Sequence, residues 1–357
     1  MNTYYPDDSR IRIAGRTRLQ VPLPLFWTGS GVELCADGSE LSFILTADYS
    51  AFEQWIRVEV DGYSMIRMPL NKGENRVTVY RGLNPKEKRH VQLFKETQAM
   101  PTDPDAMLLL HAVETDGELY PLPARDLKIE FIGDSLTSGE GLAGAKHLMD
   151  WQSCVFSTWL SYTQLVAKEL NAQISILAQS GWGTYCSWDH QTACAMPLYY
   201  DQICGVLQGE RTRKLGAMDP YDFSTFRPDV VYVNLGSNDR SGLLEYSKEG
   251  PEPFARAMMA FLKLLRMRNP DALIIWACGL GTNGLTETAQ ETMAEYLMET
   301  GDERTDLLYV PDGRKQQGPE QEGLMGSRNH PGPLSNRYQA DAVEEKIREM
   351  QNKRRSI

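Results

Sequence analysis

Hydrophobic and polar positions alternate along this chain in two different ways, and the change falls near residue 122. Before it, Ile56, Val58 and Val60 alternate with Arg57 and Glu59 and run into Asp61-Gly62, the pattern of a half-buried strand entering a hairpin turn. Val77 and Val79, then Val91 and Leu93, repeat the two-residue period after the turn-rich joints Asn71-Lys72-Gly73 and Asn84-Pro85. No segment there sustains an amphipathic helical pattern. Short strands at this spacing predict an all-β domain over residues 1–122, a β-sandwich or jelly roll. From Leu127 onward the runs Lys128–Ile132, Ile174–Ala178, Val230–Leu235, Leu273–Ala277 and Leu307–Val310 have the composition of strands buried on both faces. Helical patterns over Ser161–Leu170, Glu252–Arg268, Glu287–Glu299 and Ser335–Asn352 separate or follow them. Strand alternating with helix predicts an α/β domain over residues 123–357, with a parallel sheet covered on both sides. Pro121-Leu122-Pro123 marks the joint between the two.

Composition narrows the function without changing the fold. Hydrophobic residues make up 41% of 357 and charged residues 24%, enough for two ordinary cores. Net charge is −11, which repels polyanions, and no basic stretch offsets it, so nucleic acid is not an expected partner. No apolar run reaches the roughly 18 residues of a membrane span. The segment MNTYYPDDSRIRIAGRTR has no apolar core or small-residue cleavage site of a secretory signal. The expectation is a cytoplasmic protein, or a secreted one whose signal was removed. Cys35, Cys154, Cys186, Cys194, Cys204 and Cys278 form no C-x-x-C pair and read as free thiols, with no metal site or cofactor implied.

In open α/β sheets ligands bind beyond the carboxyl ends of the strands, so the residues after each run carry the chemistry. After the first comes Gly133-Asp134-Ser135-Leu136, placing a serine hydroxyl near backbone N–H groups at a helix start. That geometry serves a nucleophile, a phosphate cradle or a plain helix cap, and no phosphate-loop or G-x-S-x-G signature decides among them. The second run leads into Gln179-Ser180-Gly181-Trp182-Gly183, where a glycine N–H can approach a substrate or simply turn the chain. The third ends in Gly236-Ser237-Asn238-Asp239, whose asparagine either donates to an oxyanion or closes an Asx turn. Of the five histidines, His90 and His111 fall in the β half as structural or surface residues. His147 and His190 lie in irregular segments without a motif. His330, in Arg328-Asn329-His330-Pro331, follows the last strand, a position from which a loop can return to the first strand's end.

Serine, glycine, asparagine and histidine in this order resemble the SGNH (GDSL) hydrolase superfamily over residues 127–350. A jelly roll directly before such a domain resembles carbohydrate esterase family two. The resemblance implies a three-layer, flavodoxin-like parallel sheet in the second domain. It implies Ser135 as nucleophile and His330 as base, with Ser135, Gly181 and Asn238 forming the oxyanion hole. It implies no metal and no cofactor. Asp134 and Asp239 then brace loops. One departure stands out: the superfamily has Asp-x-x-His-Pro, whereas here Ser327 occupies the aspartate's position. Some members of this esterase family resemble a dyad, with a main-chain carbonyl holding the imidazole N–H, and the same is expected for His330; the alternatives are that Asp312 or Asp341 substitutes from elsewhere, or that catalysis is weak.

The implied activity is removal of O-acetyl groups from acetylated xylo-, manno- or gluco-oligosaccharides through an acetyl-serine. Trp182, Tyr185 and Trp188, after the second strand, are the expected sugar contacts, with Trp182 favoured for its place between two glycines; Trp151 and Trp159 follow the first loop. A lipase, thioesterase or aryl esterase, and a carbohydrate-binding protein with a degenerate hydrolase domain, are the competing expectations.

Overall fold

The structure, a computed structural model, describes residues 1–282, 284–311 and 322–355. Its chain divides into two compact units whose boundaries do not follow chain order. One holds Met1–Ala124 with two later excursions, Trp151–Trp159 and Asp201–Tyr221; the other holds Arg125–Asp150, Leu160–Tyr200 and Asp222–Ile357.

The first unit is a sandwich of antiparallel sheets. In chain order its strands are β1 (Asn2–Tyr4), β2 (Arg12–Ala14), β3 (Leu23–Pro24), β4 (Gly31–Ala36), β5 (Glu40–Asp48), β6 (Trp55–Val60), β7 (Tyr63–Pro69), β8 (Gly73–Arg81), β9 (Arg89–Lys95), β10 (Met107–Thr115) and β11 (Leu119–Tyr120). One sheet runs β1-β10-β5-β8, with β3 against β10; the other runs β11-β4-β9-β6-β7, with β2 against β4. Leu41, Phe43 and Leu45 of the first meet Leu34, Ile56, Val58 and Leu93 of the second in one core. Asp61-Gly62 joins β6 to β7, pairing Val60 with Tyr63, as the hairpin pattern predicts.

On β6 the alternation misleads. Arg57 and Glu59, expected to face solvent, are only 7% and 3% exposed. Residues 151–159 pack on that face, and the buried Glu96 carboxylate ties it together. Arg57 Nε donates to Glu96 at 2.9 Å and Arg67 Nε at 3.3 Å, and the Trp159 backbone N–H adds a third bond at 3.3 Å. Arg67 also donates to the carbonyls of Cys154 and Phe156 at 2.7 and 3.0 Å. The other excursion is held by Trp27 Nε1, which donates to the Ile203 carbonyl at 2.8 Å, and by an Arg211–Asp48 ion pair.

The second unit is built on a parallel sheet of β12 (Leu127–Gly133), β13 (Ala172–Ala178), β14 (Val230–Asn234), β15 (Leu273–Gly279) and β16 (Thr305–Val310), in the order β13-β12-β14-β15-β16. In the domain's own count this is 2-1-3-4-5, the flavodoxin-like order, whose direction reverses beside the first strand. Helices α1 (Ser135–Ser138), α2 (Tyr162–Glu169), α3 (Glu210–Lys214), α4 (Ser237–Arg240), α5 (Glu252–Arg268), α6 (Thr286–Thr300) and α7 (Pro333–Arg355) complete the described α-helices; α3 lies in the first unit's second excursion. Ile129, Phe131, Ile174, Tyr232 and Ile275 pack with Tyr162 and Val166 of α2 and Val343 and Ile347 of α7. On strand β15 the ring of Trp276 meets Phe254 and Phe261 of α5 edge-on. Both faces of β12, β13, β14 and β15 are therefore largely dry, which is why their runs are continuous rather than alternating. The edge strand β16 departs from the expected burial on both faces: Leu307 and Leu308 are only partly buried and Tyr309 is exposed, because among the described residues no further strand covers that edge.

Replacing Glu96 by Gln leaves the Arg57 and Arg67 guanidiniums without their counter-charge in a buried site. The expected loss of unfolding free energy is about 3 kcal/mol, by the usual cost of removing one partner of a buried pair. Urea denaturation checks it, and a loss below about 1 kcal/mol would show that water already compensates these arginines.

Candidate active site

The parallel order brings the ends of β13, β12 and β14 side by side, and each carries one of the sequence blocks. Ser135 opens α1 directly after β12 and is 8% exposed. Its neighbour Asp134 caps the helix, accepting from the Leu136 N–H at 3.0 Å. The chain returns after β16, and His330 Nε2 comes to lie 2.8 Å from Ser135 Oγ, across 195 residues of sequence. His330 Nδ1 lies 2.9 Å from the Arg328 carbonyl. A carbonyl can only accept, so Nδ1 carries the proton and Nε2 is left as the acceptor of the serine hydroxyl. That is the tautomer a general base needs.

Ser327, at the position of the superfamily's aspartate, is fully buried and serves a different purpose. Its N–H donates to the Gly141 carbonyl at 2.9 Å, fastening the histidine loop to the segment after α1. Asp341 is paired with Arg337 at 3.8 Å on α7, its side chain 59% exposed. Asp312 lies outside the described residues. The loop itself is strained: Arg328 (φ 56°) and Asn329 (φ 58°) are both left-handed, at a cost of roughly 1–2 kcal/mol for Arg328 and less for Asn329, whose short polar side chain tolerates that region. Tethers offset it. Arg328 Nε donates to Glu140 at 2.8 Å, Nη1 to the Met149 carbonyl at 2.8 Å, and its backbone N–H to the Leu148 carbonyl at 2.9 Å.

Glycine is required where the two loops touch. Gly141 sits at φ +83°, and a Cβ there would stand 2.5 Å from the Ser327 carbonyl oxygen and 2.9 Å from His330 Cβ. At Gly181, a Cβ would meet the Trp188 ring at 3.2 Å. Among the described residues the backbone N–H groups of Ser135 and Gly181 donate to nothing, so both remain available to an incoming oxygen.

Asn238, in α4 after β14, has its side-chain amide in the same neighbourhood. It donates to the Trp182 carbonyl at 2.8 Å and, more weakly, to Asp134 Oδ2 at 3.2 Å. Ser237 Oγ also donates to Asp134. Asp239 is fully buried and accepts three backbone N–H groups, from Thr184 at 2.7 Å, Tyr185 at 2.6 Å and Cys186 at 3.1 Å. It therefore fixes the loop that follows Gly181. Burial raises the carboxyl of Asp239 above its ordinary value, against those bonds. Burial likewise pushes Asp134 up to about 6, although its bonds from Ser237 and Leu136 favour the ionised form.

The aromatic candidates separate by exposure. Trp182 is 9% exposed, its ring packed on Tyr199 at 5.2 Å, so what it offers the site is its carbonyl. Tyr185 is half-buried, its N–H spent on Asp239. Trp188 is 57% exposed and stands over Gly181. Trp151 and Trp159 belong to the first unit, where Trp151 packs edge-on against Phe52 and Phe156. His90 bonds Glu33, His111 bonds Thr46, and His190 lies 3.3 Å from Glu249. No cluster of His, Cys, Asp and Glu able to hold a metal occurs among the described residues. A cavity of about 810 Å³ opens at the amino ends of β15 and β16, away from this site. Its cations are already paired, Lys263 with Glu299, Arg266 with Asp302 and Lys353 with Glu349.

Residues 131–338 match the GDSL-like lipase/acylhydrolase family, and residues 13–123 match the carbohydrate esterase 2 N-terminal domain. The chain belongs to the GDSL-like lipase/acylhydrolase family. A solved structure of the acetyl xylan esterase Est2A from Butyrivibrio proteoclasticus is 32% identical, with a TM-score of 0.92 over 99% of this chain and 100% of that one. An acetylxylan esterase / glucomannan deacetylase of Cellvibrio japonicus is 25% identical over 94% of this chain and 86% of its own length. Cellulase/esterase CelE of Acetivibrio thermocellus is 29% identical over 71% of this chain, which spans only 30% of that protein. Within this GDSL-like site, sequence reasoning missed Glu140, Gly141, Ser237 and the side chain of Arg328. The one available signal was a charged residue between two glycines, Gly139-Glu140-Gly141, directly after α1.

Two outcomes follow from this geometry. Gly141→Ala pushes the histidine loop away from Ser135 and lowers kcat for ester hydrolysis by about 100-fold, the usual cost of a misplacement near 1 Å; steady-state kinetics on a chromogenic acetyl ester measures it. Asp134 holds its proton more tightly folded than unfolded, so the cost of ionising it accrues as pH rises from the ordinary carboxyl value of 3.8 towards about 6. Wild-type stability relative to Asp134→Asn therefore falls by up to about 3 kcal/mol over that interval. Urea unfolding of both proteins at pH 4 and 7 tests this, and a difference independent of pH contradicts it.

Proposed function

We propose that this chain is a serine esterase that removes O-acetyl groups from acetylated hemicellulose-type oligosaccharides, xylo-, manno- or gluco-, through an acetyl-serine intermediate. The observation that carries the proposal is the 2.8 Å contact of Ser135 Oγ with a His330 imidazole whose other nitrogen is tied to a carbonyl. His330 takes the hydroxyl proton as the serine oxygen attacks the acetyl carbonyl. The negative oxygen of the tetrahedral intermediate is received by the N–H groups of Ser135 and Gly181. Asn238 joins them by exchanging its longer bond, the one to Asp134, for the oxyanion. Each donor of this kind is worth about 3 kcal/mol of barrier. His330 then gives its proton to the departing sugar hydroxyl, and water repeats the sequence to release acetate.

The substrate class rests on the relatives, named as esterases of acetylated xylan and glucomannan, and on the exposed Trp188 ring beside the oxyanion glycine. An indole face stacks on the apolar face of a sugar while the sugar's hydroxyls stay solvated. In this reading Trp188 is the sugar platform, Tyr185 flanks it, and Trp182 supports Asn238. The first unit, which matches the carbohydrate esterase 2 N-terminal domain, is in this reading the jelly roll that its sequence pattern predicts.

Acetate release from acetylated xylo-, manno- and cello-oligosaccharides tests the proposal. Ser135→Ala is expected to lower turnover by at least about 1,000-fold while sugar binding persists. Turnover retained in that variant removes Ser135 from the mechanism; binding with no wild-type turnover makes the protein a binding module; reaction with long-chain acyl esters alone removes the carbohydrate.

A further inference from the structure

Among the described residues, Nδ1 of the catalytic imidazole has a carbonyl as its hydrogen-bond acceptor and no carboxylate at hydrogen-bond distance. A neutral carbonyl, that of Arg328, fixes the tautomer, yet it brings only a partial charge to the imidazolium that forms when Ser135 gives up its proton. The position that would hold an acid is filled by the buried Ser327, engaged with the Gly141 backbone. Among the described residues, the carboxylate on the Nδ1 side comes from another segment. Glu140 Oε1 lies 3.9 Å from His330 Nδ1, and its side chain is 3% exposed. The same oxygen accepts from Arg328 Nε at 2.8 Å, and so clamps the residue whose carbonyl receives the imidazole proton. Glu140 is in turn anchored to the nucleophile's turn, its backbone N–H donating to the Ser135 carbonyl at 3.1 Å.

We propose that Glu140 is a positioning residue that divides the missing aspartate's work in two: it supplies counter-charge to the His330 imidazolium, and through Arg328 it holds the acceptor carbonyl in place. This rests on the reading of Ser135 and His330 as nucleophile and base. Charge acts over 3.9 Å from a carboxylate that is itself only 3% exposed, so it is screened less than in water. The charged groups around the ring are Glu140 and Arg328 on the Nδ1 side and Asp134 at the end of β12, whose carboxyl is coupled electrostatically to His330. Asp134 is committed to Ser237 and Leu136, which leaves Glu140 as the carboxylate serving the Nδ1 edge among the described residues. The carboxylate and the guanidinium bring opposite charges to the same edge of the ring, and that opposition makes the idea testable.

The experiment measures kcat, KM and the pH profile of kcat/KM for the full chain on 4-nitrophenyl acetate, which reports the serine chemistry without a sugar. Glu140→Gln keeps an oxygen for Arg328 but no charge. It is expected to lower kcat about 10- to 100-fold with KM within about twofold, and to move the acidic limb of the profile to lower pH, because the imidazolium has lost its counter-charge. Arg328→Gln is expected to lower kcat as well but to move the acidic limb to higher pH, because Glu140 then faces the ring unneutralised. Glu140→Asp recovers part of the loss. Limbs that stay at the wild-type pH in both variants, or move the same way in both, overturn the proposal, since loosened packing alone gives no such opposition. If Glu140→Gln does not fold by circular dichroism, the direction of the Arg328→Gln limb decides. Ser135→Ala runs alongside: activity retained there fails the esterase reading itself, whereas an inactive Ser135→Ala with an unaffected Glu140→Gln fails only the role of Glu140.

Discussion

An imidazole acts as a base towards a serine only if its two nitrogens are kept distinct, and most of this site exists to keep them so. Nδ1 is given a carbonyl and Nε2 a hydroxyl, at 2.9 and 2.8 Å. Holding the carbonyl there requires two consecutive residues in left-handed conformation, and the bonds from Arg328 to Glu140, Met149 and Leu148 keep them in it. Gly141 leaves the space in which the two loops meet. Take away any of these and the ring is free to turn, although every atom of the serine and histidine is still present.

The sheet order explains why so few residues suffice. In a 2-1-3-4-5 arrangement the first strand has a neighbour on each side, so the turns after β13, β12 and β14 open towards one another. Each contributes backbone or a short side chain: Gly181, Ser135 and Asn238. The acids among these blocks are structural. Asp239 gathers three N–H groups of the Gly181 loop, and Asp134 gathers Ser237, Asn238 and Leu136. Burying two carboxyl groups disfavours their ionised forms, and the raised proton affinity of both is the cost of holding those turns still.

In the first unit the same device works on a larger scale. The Glu96 carboxylate, with no exposed surface, collects two guanidiniums and a backbone N–H, and so binds the 151–159 excursion to strands β6 and β7. The polar residues of β6 are in consequence interior residues, and Arg57 lies over the Trp159 ring at 5.4 Å. Pro121-Leu122-Pro123 lies beside the unit's first boundary, at Ala124, but its two later stretches, Trp151–Trp159 and Asp201–Tyr221, join it where no linker marks a boundary.

The sequence by itself determined the elements and the chemistry-bearing blocks. Buried parallel strands are largely apolar, so the four runs from Lys128 to Ala277 announced themselves, the edge run Leu307–Val310 was legible as a strand but not as a half-exposed one, and Glu252–Arg268 is a helix over that same span. Ser135, Gly181, Asn238 and His330 were legible because each follows a strand or a turn in a fixed order. Tertiary structure alone decided what holds the histidine, since a backbone carbonyl leaves no trace in residue identity and Glu140 reaches the ring from 190 positions away. It alone decided that Arg57 and Glu59 are covered, because the two-residue period reports which residues share a face and says nothing about what a distant segment will lay upon it. And it ranked the aromatics, burying Trp182 and exposing Trp188: neighbours in a turn have the same local pattern, and only packing distinguishes the ring that fills a core from the ring that meets solvent.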